Sequence, residues 1–407
     1  MIVTNKDKKI VQIDRFKLQK PLLHSGFGML YHAKDIKKSQ NSYVVKLLDN
    51  ALDIHEIHAQ VEALKLLNGS SLFAEAYLSK RVMNKFYIVY EAPDSFLNDL
   101  DEPMSESSAC EMLLSLLKQL RYLHANALMV MGLDERVVIN HKGHFSIASW
   151  AITKKSIELK EKIESLECRY YAPEHLGYRH YDVSDIYRLG AIFYKALGGR
   201  SMGEGDEQKE ISKVLFRSKY GFVKQEPHIS DKSYKLICWM MQKEIYNRPT
   251  IEQIEAYLAH PYSIDIHMPK EVVDAFESPL QRVYYLAQEG VGVAQKIYAE
   301  YCRSKEDYIQ MQKWYLHACE HGSYDAKYEL GVCYKNGIGC HVDLHRAYEI
   351  FLELSYYGHA DAIYNLALMI EEGKAVYSDM KLAKRYYKKA AYFGSKKAYI
   401  KLKEFDE

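Results

Sequence analysis

The chain has 407 residues, a formal net charge of +1 and 48% apolar residues, which is enough apolar material for two hydrophobic cores. No run approaches the roughly eighteen apolar residues of a membrane-spanning helix, and the N-terminal residues lack the apolar core of a classical export signal. Seven scattered cysteines fit a reducing compartment. We therefore expect no transmembrane segment, and either a cytoplasmic protein or one delivered into a host cytosol by a signal of another kind.

The first predicted elements are two strands joined by a turn that contains Gly26 and Gly28, in the sequence LLHSGFGMLYHAKD. A third strand is predicted at SYVVKLL, which shows the alternation of a strand and carries Lys46. The helix HAQVEALKLLN follows, and the strand KFYIVYEAP then contains Tyr90 and Glu91. Each signal is weak alone, and the order and spacing of the elements make the pattern specific.

This pattern resembles the small lobe of protein kinases. The resemblance implies that Lys46 pairs with nucleotide phosphates and that Gly26 and Gly28 belong to the glycine-rich loop over them. It also implies that Tyr90 is the gatekeeper residue and that Glu91 opens the segment that contacts adenine. The first two glycines of the family's loop are replaced here, so the close backbone approach that glycine allows is not implied.

The segment YLHANALMVMGLDERVVIN resembles the catalytic loop of the same family in frame and length. Gly132 replaces the family's catalytic Asp and Val137 its metal-binding Asn. Further along, HFSIASWAI resembles the strand and turn of the second metal ligand, and Ser149 stands in place of that Asp. Loss of a general base typically costs about 10²–10⁴-fold in rate, and the metal ligands are lost with it. The resemblance therefore implies a pseudokinase.

Two nearby polar residues leave an alternative open. Asp134 and Asn140 lie downstream of the family's catalytic and metal-binding positions, where a shifted loop would present them to a metal ion. Kinase-like folds with degenerate motifs also transfer AMP or glutamylate proteins, and such an enzyme would need bound nucleotide and metal. No acidic residue stands between Ser149 and Glu158 to replace the second metal ligand. We expect no metal site, and we expect that ATP, if it binds, does so without Mg²⁺.

Three further positions match residues that stabilise the large lobe of the family. Glu174 lies in RYYAPEHL, Asp185 near the start of the helix SDIYRLGAIFYKAL, and Arg248 in NRPT. The resemblance implies an ion pair between Glu174 and Arg248, because either charge buried alone would cost several kcal/mol. These positions predict that the architecture is retained.

From about residue 277 the sequence repeats itself with a period of 36 residues. The residues that recur with this period are Gly322, Gly358 and Gly394, and also Ala326, Ala362 and Ala398. Such a period with small and aromatic residues predicts helix pairs stacked into a solenoid. The pattern resembles Sel-one-like repeats, relatives of the tetratricopeptide class, and this implies a scaffold that binds a protein or peptide in a groove. We count about three repeats and expect them to pack on the kinase-like lobe.

The last part of the chain is basic. Residues 381–403 contain nine Lys or Arg and no acidic residue, and tyrosines are interleaved with them. Such a segment forms the solvated face of a terminal helix or binds an acidic partner. We do not expect nucleic acid to be a partner.

The sequence thus predicts an α+β bilobal protein-kinase-like fold at residues 1–262, with a small lobe at about 10–92 and a large lobe at about 93–262. A linker at 263–280 and an all-α helical-repeat solenoid at 281–407 follow. The predicted function is a pseudokinase scaffold that binds a protein partner in the repeat groove, with nucleotide binding left open. The alternatives are an ATP-dependent transferase and a kinase-like lobe that is only a structural cap for the repeats.

Overall fold

The computed structural model describes residues 2–4, 10–25, 28–37, 42–48, 54–68, 70–73, 76–82, 85–130, 133–141, 143–154, 172–174, 181–199, 211–220, 223, 225–261, 264, 266, 268, 276–393 and 395–405. A curled antiparallel sheet with one helix forms the first lobe, a mostly helical second lobe follows, and a run of eight helices ends the described chain. The predicted α+β bilobal architecture with a C-terminal helical array is confirmed. Among the described helices, none is long and apolar enough to cross a membrane.

The first lobe is built on seven strands. They are β1 Ile2–Thr4, β2 Ile10–Ile13, β3 Phe16–Ser25, β4 Gly28–Asp35, β5 Ser42–Leu48, β6 Ala76–Val82 and β7 Lys85–Glu91, with α1 Ile54–Asn68 between β5 and β6. The sheet order is β1-β2-β3-β4-β5-β7-β6, and every pairing is antiparallel. Ile2 lies opposite Ile13, so the sheet begins before residue 10, where the sequence placed the start of the small lobe.

Strand β5 lies between β4 and β7, and all of its residues after Ser42 are buried. Tyr43, Val45 and Leu47 face a cluster inside the curl of the sheet, while Val44 and Leu48 belong to a different cluster that continues into the second lobe. Alternate residues of a strand point to opposite faces. Lys46 therefore shares the face of Val44 and Leu48 and is directed toward the second lobe.

The second lobe contains short strands and longer helices. They are β8 Ser95–Phe96, α2 Glu106–Ala125, β9 Leu128–Val130, β10 Val138–His141, β11 His144–Ile147, β12 Ile152–Lys154, α3 Asp182–Ala196, α4 Ile211–Tyr220, α5 Asp231–Met240 and α6 Ile251–Ala259. The strands form two small sheets, β11-β10-β8 and β12-β9. The Ser105 side chain accepts a hydrogen bond from the Ser108 N–H and so begins α2, as Ser commonly does at a helix N-cap. The short sheets position the loop and turn that face the first lobe.

The C-terminal array consists of α7 Pro279–Gln288, α8 Gly292–Ser304, α9 Tyr308–Glu320, α10 Tyr324–Asn336, α11 Leu344–Tyr356, α12 Ala360–Glu372, α13 Met380–Tyr392 and α14 Lys396–Glu404. The 36-residue period has a local cause. Helices α10 and α12 end at Gly337 and Gly373 in the left-handed conformation, and Asp343 and Asp379 then begin α11 and α13 as N-caps. The same turn chemistry therefore repeats in successive helix pairs.

The array packs on the second lobe, as expected from the sequence. Leu215 and Phe216 of α4 form one hydrophobic cluster with Val283 and Leu286 of α7. At its edge, the buried Arg282 donates from Nη1 to the Ser212 hydroxyl at 2.9 Å. Apolar packing around a satisfied buried guanidinium fixes the first helix of the array against the lobe.

Candidate functional site

The candidate site is the cleft between the two lobes, which is formed by Lys46, Tyr90, Ser149 and Trp150. The Lys46 side chain enters from β5, is only 1% exposed, and donates from Nζ to the main-chain carbonyl of Trp150 at 2.7 Å. Burial of an ammonium group is costly without a hydrogen-bond acceptor, and this carbonyl supplies one. The lysine thus binds the opposite lobe of its own chain.

Trp150 lies in a single 3₁₀ turn, Ser149–Ala151, between β11 and β12. Its side chain is 1% exposed and packs edge-to-face on Tyr90, with ring centroids 5.5 Å apart and planes at 73°. A second contact joins it to Phe96, at 6.2 Å between centroids. The indole therefore occupies the space between the end of β7, strand β8 and the base of the first lobe.

Tyr90 is as deeply buried as Trp150, and burial raises the pKa of its phenol. Within the described part of the chain, neither the Tyr90 hydroxyl nor the Trp150 Nε1 has a hydrogen-bond partner. Unpaired polar atoms at such depth are uncommon in proteins and each lowers stability. The cleft is filled by aromatic rings whose polar atoms remain unsatisfied.

The two positions that carry metal ligands in the resemblance lie next to each other. The Ala148 N–H donates to the Val137 carbonyl at 2.8 Å, which brings the loop beside Ser149. The side chains there are an isopropyl group and a hydroxyl, both buried. Gly132 and Gly26 lie outside the described residues, and Gly28 begins β4.

The protein kinase domain family matches residues 21–263, more than half of the chain. This chain belongs to the protein kinase family. It is 23% identical over 274 residues to serine/threonine-protein kinase PLK4 of Drosophila virilis, covering 62% of this chain and 33% of that protein. It is 27% identical over 269 residues to an Aurora kinase of Dictyostelium discoideum, covering 63% of this chain and 67% of that protein. The chain spans about a third of the length of the PLK4 relatives.

The kinase domain contains the ion pair that the sequence predicted. Nη1 and Nη2 of Arg248 lie 2.6 and 2.7 Å from the two carboxylate oxygens of Glu174. The Ser184 hydroxyl donates to the same carboxylate, and the Arg248 side chain, which is fully buried, also lies over the ring of Tyr187. Bidentate geometry with further hydrogen bonds is the arrangement in which a buried ion pair is tolerated.

Asp185 has a partner that sequence reasoning missed. Its Oδ2 lies 2.9 Å from Nε2 of His124, at the C-terminal end of α2. This contact connects α2 to the start of α3 beneath the cleft. His124 belongs to the YLH segment at the start of the catalytic-loop resemblance. The sequence therefore marked both residues, but it did not indicate that they contact each other.

The alternative catalytic residues lie in different local structures, Asp134 before β10 and Asn140 within it. Both carboxylate oxygens of Asp134 accept hydrogen bonds from the Arg136 guanidinium, from Nε at 3.1 and 3.0 Å and also from Nη2, and the Arg136 main-chain N–H donates to Oδ1. Asn140 lies in β10 opposite Phe145 and Ser95. Arg136 was missed, and the Asp-x-Arg spacing was the available signal. Within the described residues, no group of three or more His, Cys, Asp or Glu side chains is placed to hold a metal ion.

Glu91 lies at the outer edge of the cleft. Its side chain is 59% exposed, and one carboxylate oxygen is 3.4 Å from Nε2 of His141 in β10. The Ala92 N–H donates to the Ser42 carbonyl at 3.3 Å, which keeps this crossing segment close to β5. The residue predicted to open the adenine-contacting segment thus makes a side-chain contact between the lobes.

The basic C-terminal segment is partly used for internal packing. Lys389 donates to the Ser355 carbonyl at 2.8 Å, and Lys401 lies 3.3 Å from the Glu371 carboxylate. Lys388 and Arg385 are exposed. The predicted solvated face and the internal contacts therefore coexist, and the acidic partner remains a prediction.

Proposed function

We propose that this kinase-family protein is a catalytically inactive scaffold that binds a protein partner through its helical repeats. The observation that carries the proposal is the indole of Trp150, which fills the cleft against Tyr90 and Phe96 while its carbonyl accepts a hydrogen bond from Lys46. A nucleotide would have to displace this ring and compete for the lysine. The replacement of metal ligands by Val137 and Ser149 supports the same conclusion.

The repeat array supports the binding part of the proposal. Its helix pairs repeat the same glycine turn and Asp N-cap, a pattern that resembles Sel-one-like repeats. Stacked helix pairs form extended binding surfaces in many proteins. The relatives named above are serine/threonine-protein and Aurora kinases, and we propose that this chain keeps their domain architecture for recognition. The six described cysteines are free, which supports a cytosolic site of action.

The test is a thermal shift of the full chain with ATP alone, with ATP and Mg²⁺, and with ATP and Mn²⁺. Specific ligands raise the unfolding midpoint by mass action, so we expect no rise in any of the three. A metal-dependent rise that disappears in Asp134→Ala would overturn the proposal in favour of a transferase. In parallel, incubation with ATP labelled at the α or the γ phosphate distinguishes AMP transfer from phosphoryl transfer. Label on the protein in either case would also overturn the proposal that the chain is catalytically inactive.

A further inference from the structure

A cavity of about 400 Å³ lies in the repeat array among α7, α8 and α9. The side chains that define it are Tyr284, Tyr298, Tyr301, Lys305, Asp307 and Trp314. Tyr284 is 40% exposed. The other three rings, Tyr298, Tyr301 and Trp314, are half-buried and also pack against the hydrophobic clusters of the array.

The rings in this aromatic cavity are held at fixed angles. Tyr284 and Tyr298 lie 4.8 Å apart, and the plane of Trp314 is at 76° to both of them, with centroids at 6.1 and 5.4 Å. Each of these three rings comes from a different helix. The planes of Tyr284 and Tyr298 are tilted by 41° to each other, and that of Trp314 is steeply inclined to both. The negative potential of an aromatic face favours a cation placed against it.

The cavity is lined by one acidic residue, Asp307, and one basic residue, Lys305. Burial is the main reason that the pKa of the Cys302 thiol is raised, and the negative charge of Asp307 is the next. The pKa of Tyr298 is also raised, first by burial and further by neighbouring groups that include Asp307. At the rim, the Lys305 ammonium lies 5.7 Å from the ring centroid of Tyr301, so one ring already accepts a cation from the chain itself.

We propose that this aromatic cavity binds a cationic side chain of a peptide partner, either a guanidinium or an alkylated ammonium group. The aromatic faces supply cation–π attraction and Asp307 supplies the countercharge. The inference rests on the proposed function, because it names the chemistry of a partner that the repeats would bind. A weakly hydrated cation suits this site because its desolvation costs less than that of a compact ammonium.

The experiment is calorimetric titration of the full chain with four capped tripeptides, Gly-X-Gly, in which X is arginine, lysine, trimethyllysine or the neutral carbon isostere of trimethyllysine. We expect arginine and trimethyllysine to bind and the isostere to bind at least about fivefold more weakly, as a cation–π contribution of this class requires. Equal binding of the isostere, or no saturable binding by any peptide, would overturn the inference. Titration with tetramethylammonium tests whether the cavity binds a free small cation instead. If it binds as tightly as the trimethyllysine peptide, the proposal that the cation belongs to a peptide is wrong.

Asp307→Asn separates charge from structure. The Asp307 Oδ1 accepts a hydrogen bond from the Gln310 N–H at 3.1 Å as the N-cap of α9, and asparagine retains that cap. We expect arginine-peptide affinity to fall about fivefold with no change in the unfolding midpoint. Asp343→Asn changes the equivalent cap of α11 away from the cavity and should leave affinity unchanged. Lys305→Met, which removes the competing ammonium, should tighten binding.

The outcomes separate this inference from the proposed function. If every peptide fails to bind while ATP gives no thermal shift, the cavity proposal fails and the scaffold proposal stands. If ATP binds with metal while the arginine peptide binds in an Asp307-dependent way, the scaffold proposal fails and the cavity proposal stands.

Discussion

The indole of Trp150 and the phenol of Tyr90 meet edge-to-face in the cleft, with their ring centroids 5.5 Å apart. Tyr90 comes from the last strand of the first sheet and Trp150 from a turn of the second lobe. Each ring is 1% exposed. The pair therefore fills the space between the end of β7 and the turn at Ser149–Ala151.

Trp150→Ala tests whether the indole fills a ligand-sized space. We expect a loss of about 3–5 kcal/mol in the free energy of unfolding, because a buried ring is removed and its cavity remains. We also expect free indole to raise the unfolding midpoint of the variant and not of the native chain, since the ligand refills the cavity. Trp239→Ala removes a tryptophan that contacts Tyr257 in the second lobe, and it should gain no such response. An equal rise in the unfolding midpoint of both variants with free indole would contradict the interpretation that Trp150 fills a ligand-sized space.

Glu174→Ala tests the buried ion pair. We expect a loss of about 3–5 kcal/mol in urea unfolding, because the guanidinium of Arg248 would remain buried without its carboxylate. Glu174→Ala combined with Arg248→Met should be more stable than Glu174→Ala alone. The control is Glu252→Ala, which removes an exposed partner of Arg121 and should change stability little. A mild effect of Glu174→Ala would mean that the three main-chain carbonyls to which Arg248 already donates are enough to stabilise its buried charge.

Ala375→Gly tests a strained turn in the array. Ala375 has a φ of 70° and stands one 36-residue period after Gly339, whose φ is 74°. Left-handed backbone costs an L-residue about 1–2 kcal/mol, so glycine should stabilise the chain by up to about 1 kcal/mol after its own entropy cost. Gly339→Ala should do the reverse and more strongly, because a Cβ there would lie 2.8 Å from the Tyr308 carbonyl oxygen. In chemical unfolding, the free energy of unfolding should rise for Ala375→Gly and fall for Gly339→Ala.

Cys238 predicts an alkaline loss of stability. Burial raises the pKa of its thiol to about 11, while the unfolded thiol has a pKa of 9.0. The folded state therefore holds the proton more tightly, and this contribution is complete below pH 9 and lost as the pH rises through 11. We expect the native chain to lose about 2 kcal/mol relative to Cys238→Ala across that window. A constant difference in the free energy of unfolding between the two proteins from pH 8 to 11 would contradict the raised pKa of the Cys238 thiol.

Features that rest on short motifs were predictable from the sequence. Alternation predicted the strand that carries Lys46, and the family resemblance of two short motifs predicted that Glu174 and Arg248 form an ion pair. The 36-residue period located the helix pairs because one turn chemistry repeats, with Gly337 and Gly373 in equivalent conformations. A local rule fixes the geometry of the strand and of the repeat turns, whereas the contact between Glu174 and Arg248 follows from the family resemblance.

Contacts between distant segments were not predictable in this way. The sequence assigned no role to Trp150, and its packing on Tyr90 and Phe96 depends on how the two lobes meet. The same holds for the contact of Arg282 with Ser212 between the array and the second lobe. A single sequence without an alignment gives no signal for such pairs. Asp134 is the exception, since its partner Arg136 is two residues away and its engagement could have been anticipated.

One hydrophobic cluster runs without interruption from the first lobe into the second. It includes Leu30, Val44 and Tyr90 on one side and Val137 and Trp150 on the other. Opening the lobes would expose this shared core to water, at about 25 cal/mol for each Å² of apolar surface. The two lobes should therefore lack an independent hinge motion and should unfold as one cooperative unit, so that main-chain amides on both sides of the cleft exchange their hydrogens together.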